Sequence, residues 1–150
     1  MDNDDPPSVT LSVNNATIAE AAGASTVTAT LSNPSSQQVT VTLAATGTAA
    51  GGGADYTLAS NTITIAAGQT TGTTTVTAVQ DNIDELDETI ILDIDQVTNG
   101  TENGTQQKTI TITDDDDIPT VQLSLVNAVM REDADVSTLR ATINLSLIHI

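Results

Sequence analysis

The chain has 150 residues, of which 20 are acidic and 3 basic, giving a net charge of −17 and an isoelectric point near 4.1. Phosphate backbones and anionic bilayers repel such a surface, which argues against nucleic acid and against anionic membrane surfaces as partners, and no direct membrane insertion is expected within these residues. Hydrophobic residues still make up 38%, too many for a disordered acidic tail, and Tyr56 is the one aromatic, so a core must be built from small aliphatic side chains.

There is no cysteine, which rules out a disulfide scaffold without fixing the compartment. No run is long and apolar enough to span a bilayer, and no signal peptide is visible. Met1 leads straight into Asp2-Asn3-Asp4-Asp5, which reads as the middle of a longer sequence.

Along the chain, apolar residues alternate with polar ones in short runs. Val9, Leu11 and Val13 come first, then Val27, Ala29 and Leu31, then Val39, Val41 and Leu43. Ile63 and Ile65 follow, then the Thr-rich run 73–79, then Ile90, Leu92 and Ile94, and finally Ile110 and Ile112. A period of two marks half-buried strands. Turn chemistry separates the runs at Ser32-Asn33-Pro34-Ser35, Gly51-Gly52-Gly53, Ala66-Ala67-Gly68 and Asn99-Gly100. Nothing between them has a helical period. About seven short antiparallel strands predict an all-β fold, an immunoglobulin-like β-sandwich.

Between the Thr-rich run and the strand at Ile90 lies Asp81-Asn82-Ile83-Asp84-Glu85-Leu86-Asp87-Glu88, five carboxylates in eight residues. Two carboxylates about 4 Å apart repel by roughly 4 kcal/mol at an effective dielectric of 20. A folded domain keeps such a loop when water separates the charges or when a cation gathers them, and hard oxygen donors suit Ca²⁺. From the octet alone both readings stand.

An internal repeat is also visible. DNDDPPSVTLS from Asp2 and DDDDIPTVQLS from Asp114 are offset by 112 residues, and the same offset carries Glu20 onto Glu132 and Ala29-Thr30 onto Ala141-Thr142. Residues 1–5 are therefore expected to be the acidic tail of a preceding repeat. Residues 6–117 would be one full domain, and residues 118–150 the truncated start of a following copy. The final hexapeptide LSLIHI departs from the repeat and matches one reading frame of a transposase adapter end, which makes residues 145–150, with the sole histidine His149, candidates for non-native sequence.

Four blocks together resemble the Calx-β family: Ala54-Asp55-Tyr56, ITIAAGQTTGTTTV, DNIDELDE leading into TIILDI, and TITITDDDD. The resemblance covers most of residues 8–117 and implies a seven-stranded immunoglobulin-like sandwich, some members of which bind Ca²⁺ at one end. Matched residue by residue, it implies a metal site of Glu20, Asp55, Asp81, Glu85, Glu88, Asp114, Asp115 and Asp116, joined by the backbone carbonyl of Ile83. Loops cluster at the two ends of a sandwich, so carboxylates spread over about a hundred residues have a way to converge. Gln80 stands where calcium-binding members tend to carry a further Asp, which predicts fewer or weaker ions.

Other motifs carry less. The octet is no EF-hand, since Leu86 and Leu92 stand where Gly and Glu are required. Gly51-Gly52-Gly53-Ala54-Asp55 faintly resembles the Gly-rich calcium nonapeptide of β-rolls, but that motif works in tandem, so the single stretch reads as a flexible loop beside which Tyr56 packs. Nucleophilic catalysis lacks a base, and paired carboxylates lack the aromatic platforms of a sugar cleft, so no enzymatic activity is expected. The resulting expectation is a calcium-binding, extracellular or cell-surface repeat module of a large secreted or surface-anchored protein. It would act as a calcium-stiffened spacer or adhesion module, with neighbouring repeats and an unknown surface ligand as partners. The alternatives are an accessory repeat of a large extracellular enzyme and a calcium-sensing regulatory domain of a membrane transporter.

Overall fold

The computed structural model describes residues 5–126 and 136–144. They form two compact units, one of residues 5–81 and 86–114, the other of residues 82–85, 115–126 and 136–144. No helix occurs among the described residues.

The first unit is a sandwich of two five-stranded sheets. One contains β1 (Ser8–Val13), β3 (Ala24–Leu31), β5 (Tyr56–Leu58), β7 (Thr71–Ala78) and β9 (Thr101–Glu102), in the order β5-β7-β3-β1-β9. The other contains β2 (Thr17–Ala19), β4 (Val39–Gly47), β6 (Thr62–Ile65), β8 (Glu88–Thr98) and β10 (Gln107–Thr113), in the order β2-β10-β8-β4-β6. Most pairings are antiparallel; the exceptions are β1 with β9 and β10 with β2, both short edge pairings. Every alternating run seen in the sequence is a strand. The count differs because β2, β5 and β9 are only two or three residues long, too short to show a period.

The core follows from the alternation. Val9, Val27, Ala29, Val41, Ile63, Ile65, Val76, Ile90, Leu92 and Ile110 are fully buried between the sheets, while the intervening threonines line the outer faces. Tyr56 is buried as a packing residue: a Cβ at Gly51 would stand 3.0 Å from its hydroxyl, so the ring sits tightly under the glycine loop. One irregularity departs from the period. The β4–β8 register shifts between Thr42 and Leu43, which pair with Gln96 and Ile94, so Asp95 is an extra residue. This bulge switches the face, and Val97 rather than Gln96 packs against the core.

Parity also buries three polar side chains, and two of them are hydroxyls satisfied by nearby loop backbone. Ser25 Oγ donates to Asn15 O at 2.7 Å. Thr74 Oγ1 donates to Ser60 O at 2.9 Å and accepts from Ser60 N–H at 3.2 Å. The third is Glu20.

In the second unit, β11 (Thr120–Leu125) and β12 (Leu139–Asn144) form a two-stranded antiparallel sheet. The possible non-native segment 145–150, like residues 1–4 and 127–135, lies outside the described residues.

Candidate metal centre

Six strand ends meet at one pole of the first unit. Ala19 at the end of β2 pairs with Thr113 at the end of β10, and Glu88 at the start of β8 pairs with Ile112. In the other sheet, Ala24 at the start of β3 pairs with Thr77, and Tyr56 at the start of β5 pairs with Ala78 at the end of β7. Since β2 and β3 belong to different sheets, residues 20–23 cross the end of the sandwich. Glu20 N–H bonds to Thr113 O at 3.0 Å on one side, and Ala78 N–H to Gly23 O at 2.8 Å on the other.

This crossing sets Glu20. Gly23 N–H closes onto Ala19 O at 3.0 Å, and Ala22 takes a left-handed conformation (φ 58°) to turn the chain. A side chain at Gly23 has no room, because its Cβ would lie 2.3 Å from Ala19 O. The turn directs Glu20 inward, where it is only 6% exposed and its Oε1 accepts the Asp81 N–H at 2.9 Å. The two residues each offer a carboxylate oxygen within 4.8 Å of the other. Gln80 is exposed and donates from Nε2 to Asp81 O at 2.7 Å, so its amide props the Asp81 backbone.

Asp55 and Glu88 form a second pair, again with carboxylate oxygens within 4.8 Å. Asp55 sits at the base of the glycine loop. Its N–H bonds to Ala50 O at 3.0 Å, its Oδ2 accepts from Ala50 N–H, and its carbonyl accepts Val79 N–H at 2.9 Å, which ties the loop to the end of β7. Asp114 follows β10 directly. Its N–H donates to Asp87 Oδ1 at 3.4 Å, while its own Oδ1 is buried with no hydrogen-bond partner.

These donors fit a hard cation. All are oxygens, one carboxylate is nearly fully buried, and one buried carboxylate oxygen has no donor facing it, an arrangement that costs stability unless a cation completes it. The only basic side chain in this unit, Lys108, lies five residues up β10 from Thr113, or about 17 Å along the strand. Two unit charges 4.8 Å apart repel by about 3.5 kcal/mol at an effective dielectric of 20. Oxygen-only sites of this type suit Ca²⁺, which accepts six to eight such ligands in flexible geometry.

Residues 2–116 match the Calx-beta domain family. The chain belongs to that family. Among solved structures, the Calx-beta domain here resembles the apo form of the Calx CBD1 domain, with a TM-score of 0.59 and 18% identity over 72% of this chain and 98% of that one. It also resembles CBD12 from CALX1.2, with a TM-score of 0.61 and 16% identity over 72% of this chain and 44% of that one. At these identities the likeness speaks for the fold. A search of curated proteins finds no match.

Of the residues expected from the sequence, the fold of the Calx-beta domain brings Glu20, Asp55, Asp81, Glu88 and Asp114 to one pole. Ile83, Glu85, Asp115 and Asp116 belong to the second unit, where Ile83, Glu85 and Asp115 are exposed and Asp116 is half-buried. Sequence reasoning passed over Asp87, whose carboxylate holds the Asp114 backbone; its place in the acidic octet was the available signal. It also passed over the Ala22–Gly23 turn that aims Glu20.

Proposed function

We propose that the acidic pole of this Calx-beta domain binds Ca²⁺, and that the domain serves as a calcium-stiffened spacer or adhesion module of a larger secreted or surface-anchored protein. The observation that carries the calcium reading is the buried Glu20 carboxylate beside Asp81, in a unit whose single lysine lies far up β10. Glu20, Asp55, Asp81, Glu88 and Asp114 are the proposed ligands. Glu85, Asp115, Asp116 and the Ile83 carbonyl, close to them in sequence, are proposed to add to the set. When bound, Ca²⁺ would supply positive charge and oxygen coordination at the pole; no chemical step is involved.

The spacer role draws on the chain's layout. Asp114 ends the sandwich and Asp115-Asp116-Asp117 continue from it, with Pro119 two residues further on. A cation holding this acidic run leaves the joint fewer conformations than four mutually repelling carboxylates do, and Pro119 restricts its far side. Exported proteins meet millimolar Ca²⁺, and extracellular modules often bind it with Kd near 10⁻⁴–10⁻³ M.

Isothermal titration of the chain with CaCl₂ and MgCl₂ tests the site. Saturable Ca²⁺ binding, with much weaker Mg²⁺ binding because Mg²⁺ sheds its water reluctantly, is the expected result. Small-angle scattering tests the spacer reading: the maximum dimension should narrow in Ca²⁺, and Asp115→Asn with Asp116→Asn should remove the change. Absence of saturable heat overturns the site; a site that binds without altering the scattering leaves calcium and removes the stiffening.

A further inference from the structure

The second unit repeats the pairing of the first, register for register. In the sandwich, β1 and β3 pair Val9↔Leu31, Thr10↔Thr30, Leu11↔Ala29, Ser12↔Thr28 and Val13↔Val27. Exactly one repeat length later, at an offset of 112 residues, β11 and β12 pair Val121↔Ile143, Gln122↔Thr142, Leu123↔Ala141, Ser124↔Arg140 and Leu125↔Leu139. The hydrogen bond that closes the first ribbon, Asn14 N–H to Thr26 O at 3.1 Å, recurs as Val126 N–H to Thr138 O at 3.1 Å.

The surroundings of the two ribbons differ. Val9, Leu11, Val27, Ala29 and Leu31 are buried at 0–4% exposure under the opposing sheet. Their counterparts Val121, Leu123, Leu139 and Ile143 are 63–65% exposed. Paired residues project to the same side, so these side chains with Leu125 and Ala141 make one continuous apolar face. A two-stranded sheet with such a face uncovered is marginal in water.

We propose that β11 and β12 are the first half of a core sheet of a second Calx-beta sandwich, and that their apolar face is an interface for a sheet with the chemistry of β4, β8 and β10. The first unit supplies the reason for that occupant: the same register and the same side-chain pattern are covered there by the alternating Val, Leu and Ile of those strands. Other occupants fit less well. A second copy would offer only the same two-stranded face, whereas β1 and β3 are covered by a five-stranded sheet, and an anionic bilayer repels the chain. This inference does not depend on the metal site.

The test extends the chain. Ser32 maps onto Asn144 at the repeat offset, so a second copy of residues 33–117 is placed after Asn144, in place of residues 145–150, and amide exchange is measured in the original and extended proteins. The expected result is a slowing of about 10³-fold or more at Val121, Leu123, Leu125, Leu139, Ala141 and Ile143 in the extended chain, as those amides join a cooperative unit. Leu123→Asp should return them to fast exchange, and Gln122→Asp, on the other face, should not. Unchanged exchange overturns the proposal, as does failure of the appended strands to order, because the same strands fold against β1 and β3. Concentration-dependent protection in the original chain, with a dimer in analytical ultracentrifugation, would give the face to a second copy and overturn it as well.

Discussion

Replacing Glu20 by Gln separates charge from shape at the acidic pole. Gln keeps the volume of the buried side chain and an oxygen able to accept the Asp81 N–H, so the 2.9 Å hydrogen bond has a substitute. What it removes is one negative charge within 4.8 Å of the Asp81 carboxylate. Full Coulomb repulsion there is about 3.5 kcal/mol at a dielectric of 20, and Asp81 is partly exposed, so solvent screening reduces the gain to about 1–2 kcal/mol. In EDTA the Glu20→Gln variant should therefore melt higher than the parent by about 4–10 °C, at a few degrees per kcal/mol for a domain of this size. In Ca²⁺ at about 100 times Kd the parent gains roughly 2.7 kcal/mol, and the variant, lacking a buried ligand charge, should gain less than about 1 kcal/mol. The lead of the variant in EDTA is thus expected to shrink to near zero or invert in calcium. Scanning calorimetry in both buffers at matched ionic strength reads this directly. A variant destabilised equally in both would refute the reasoning, because Glu20 would then matter for its packing alone.

Three further outcomes follow from the fold. Ala22→Gly should stabilise the domain by about 1 kcal/mol, since Ala22 holds a left-handed φ of 58° that glycine adopts without strain; urea titration checks it. Gly23→Val should disrupt the crossing, with the Cβ 2.3 Å from Ala19 O, and lower both stability and calcium affinity in the same preparation, as read by denaturation and titration. Ser25→Ala should cost about 1 kcal/mol, because the Asn15 carbonyl loses its 2.7 Å donor from the buried Ser25 side chain, and chemical denaturation should show it with an unchanged m-value.

Much of the sandwich was legible because its long strands each present one face to an aliphatic core. Val27-Ala29-Leu31 and Ile90-Leu92-Ile94 announce that face by parity, and parity extended one step further places Ser25 and Thr74 inside as well. The short strands were not legible, since β2, β5 and β9 are held by edge pairing rather than by a period of their own. Nor was the bulge at Asp95, where the strand changes face without any turn residue to mark it. At the pole, the acidic octet was conspicuous, but the convergence of Glu20 with Asp81 across 61 positions depends on β2 and β3 lying in different sheets. That is a property of topology, and the local sequence Ala21-Ala22-Gly23 only hints at a turn.

The most direct measurement of the central claim is a crystal structure of the chain grown with millimolar CaCl₂ and recorded at a wavelength where calcium scatters anomalously. The account predicts an anomalous peak in contact with the carboxylates of Glu20 and Asp81, absent from crystals of Glu20→Gln. An acidic pole without such a peak, or calcium found only on exposed carboxylates elsewhere, would contradict it.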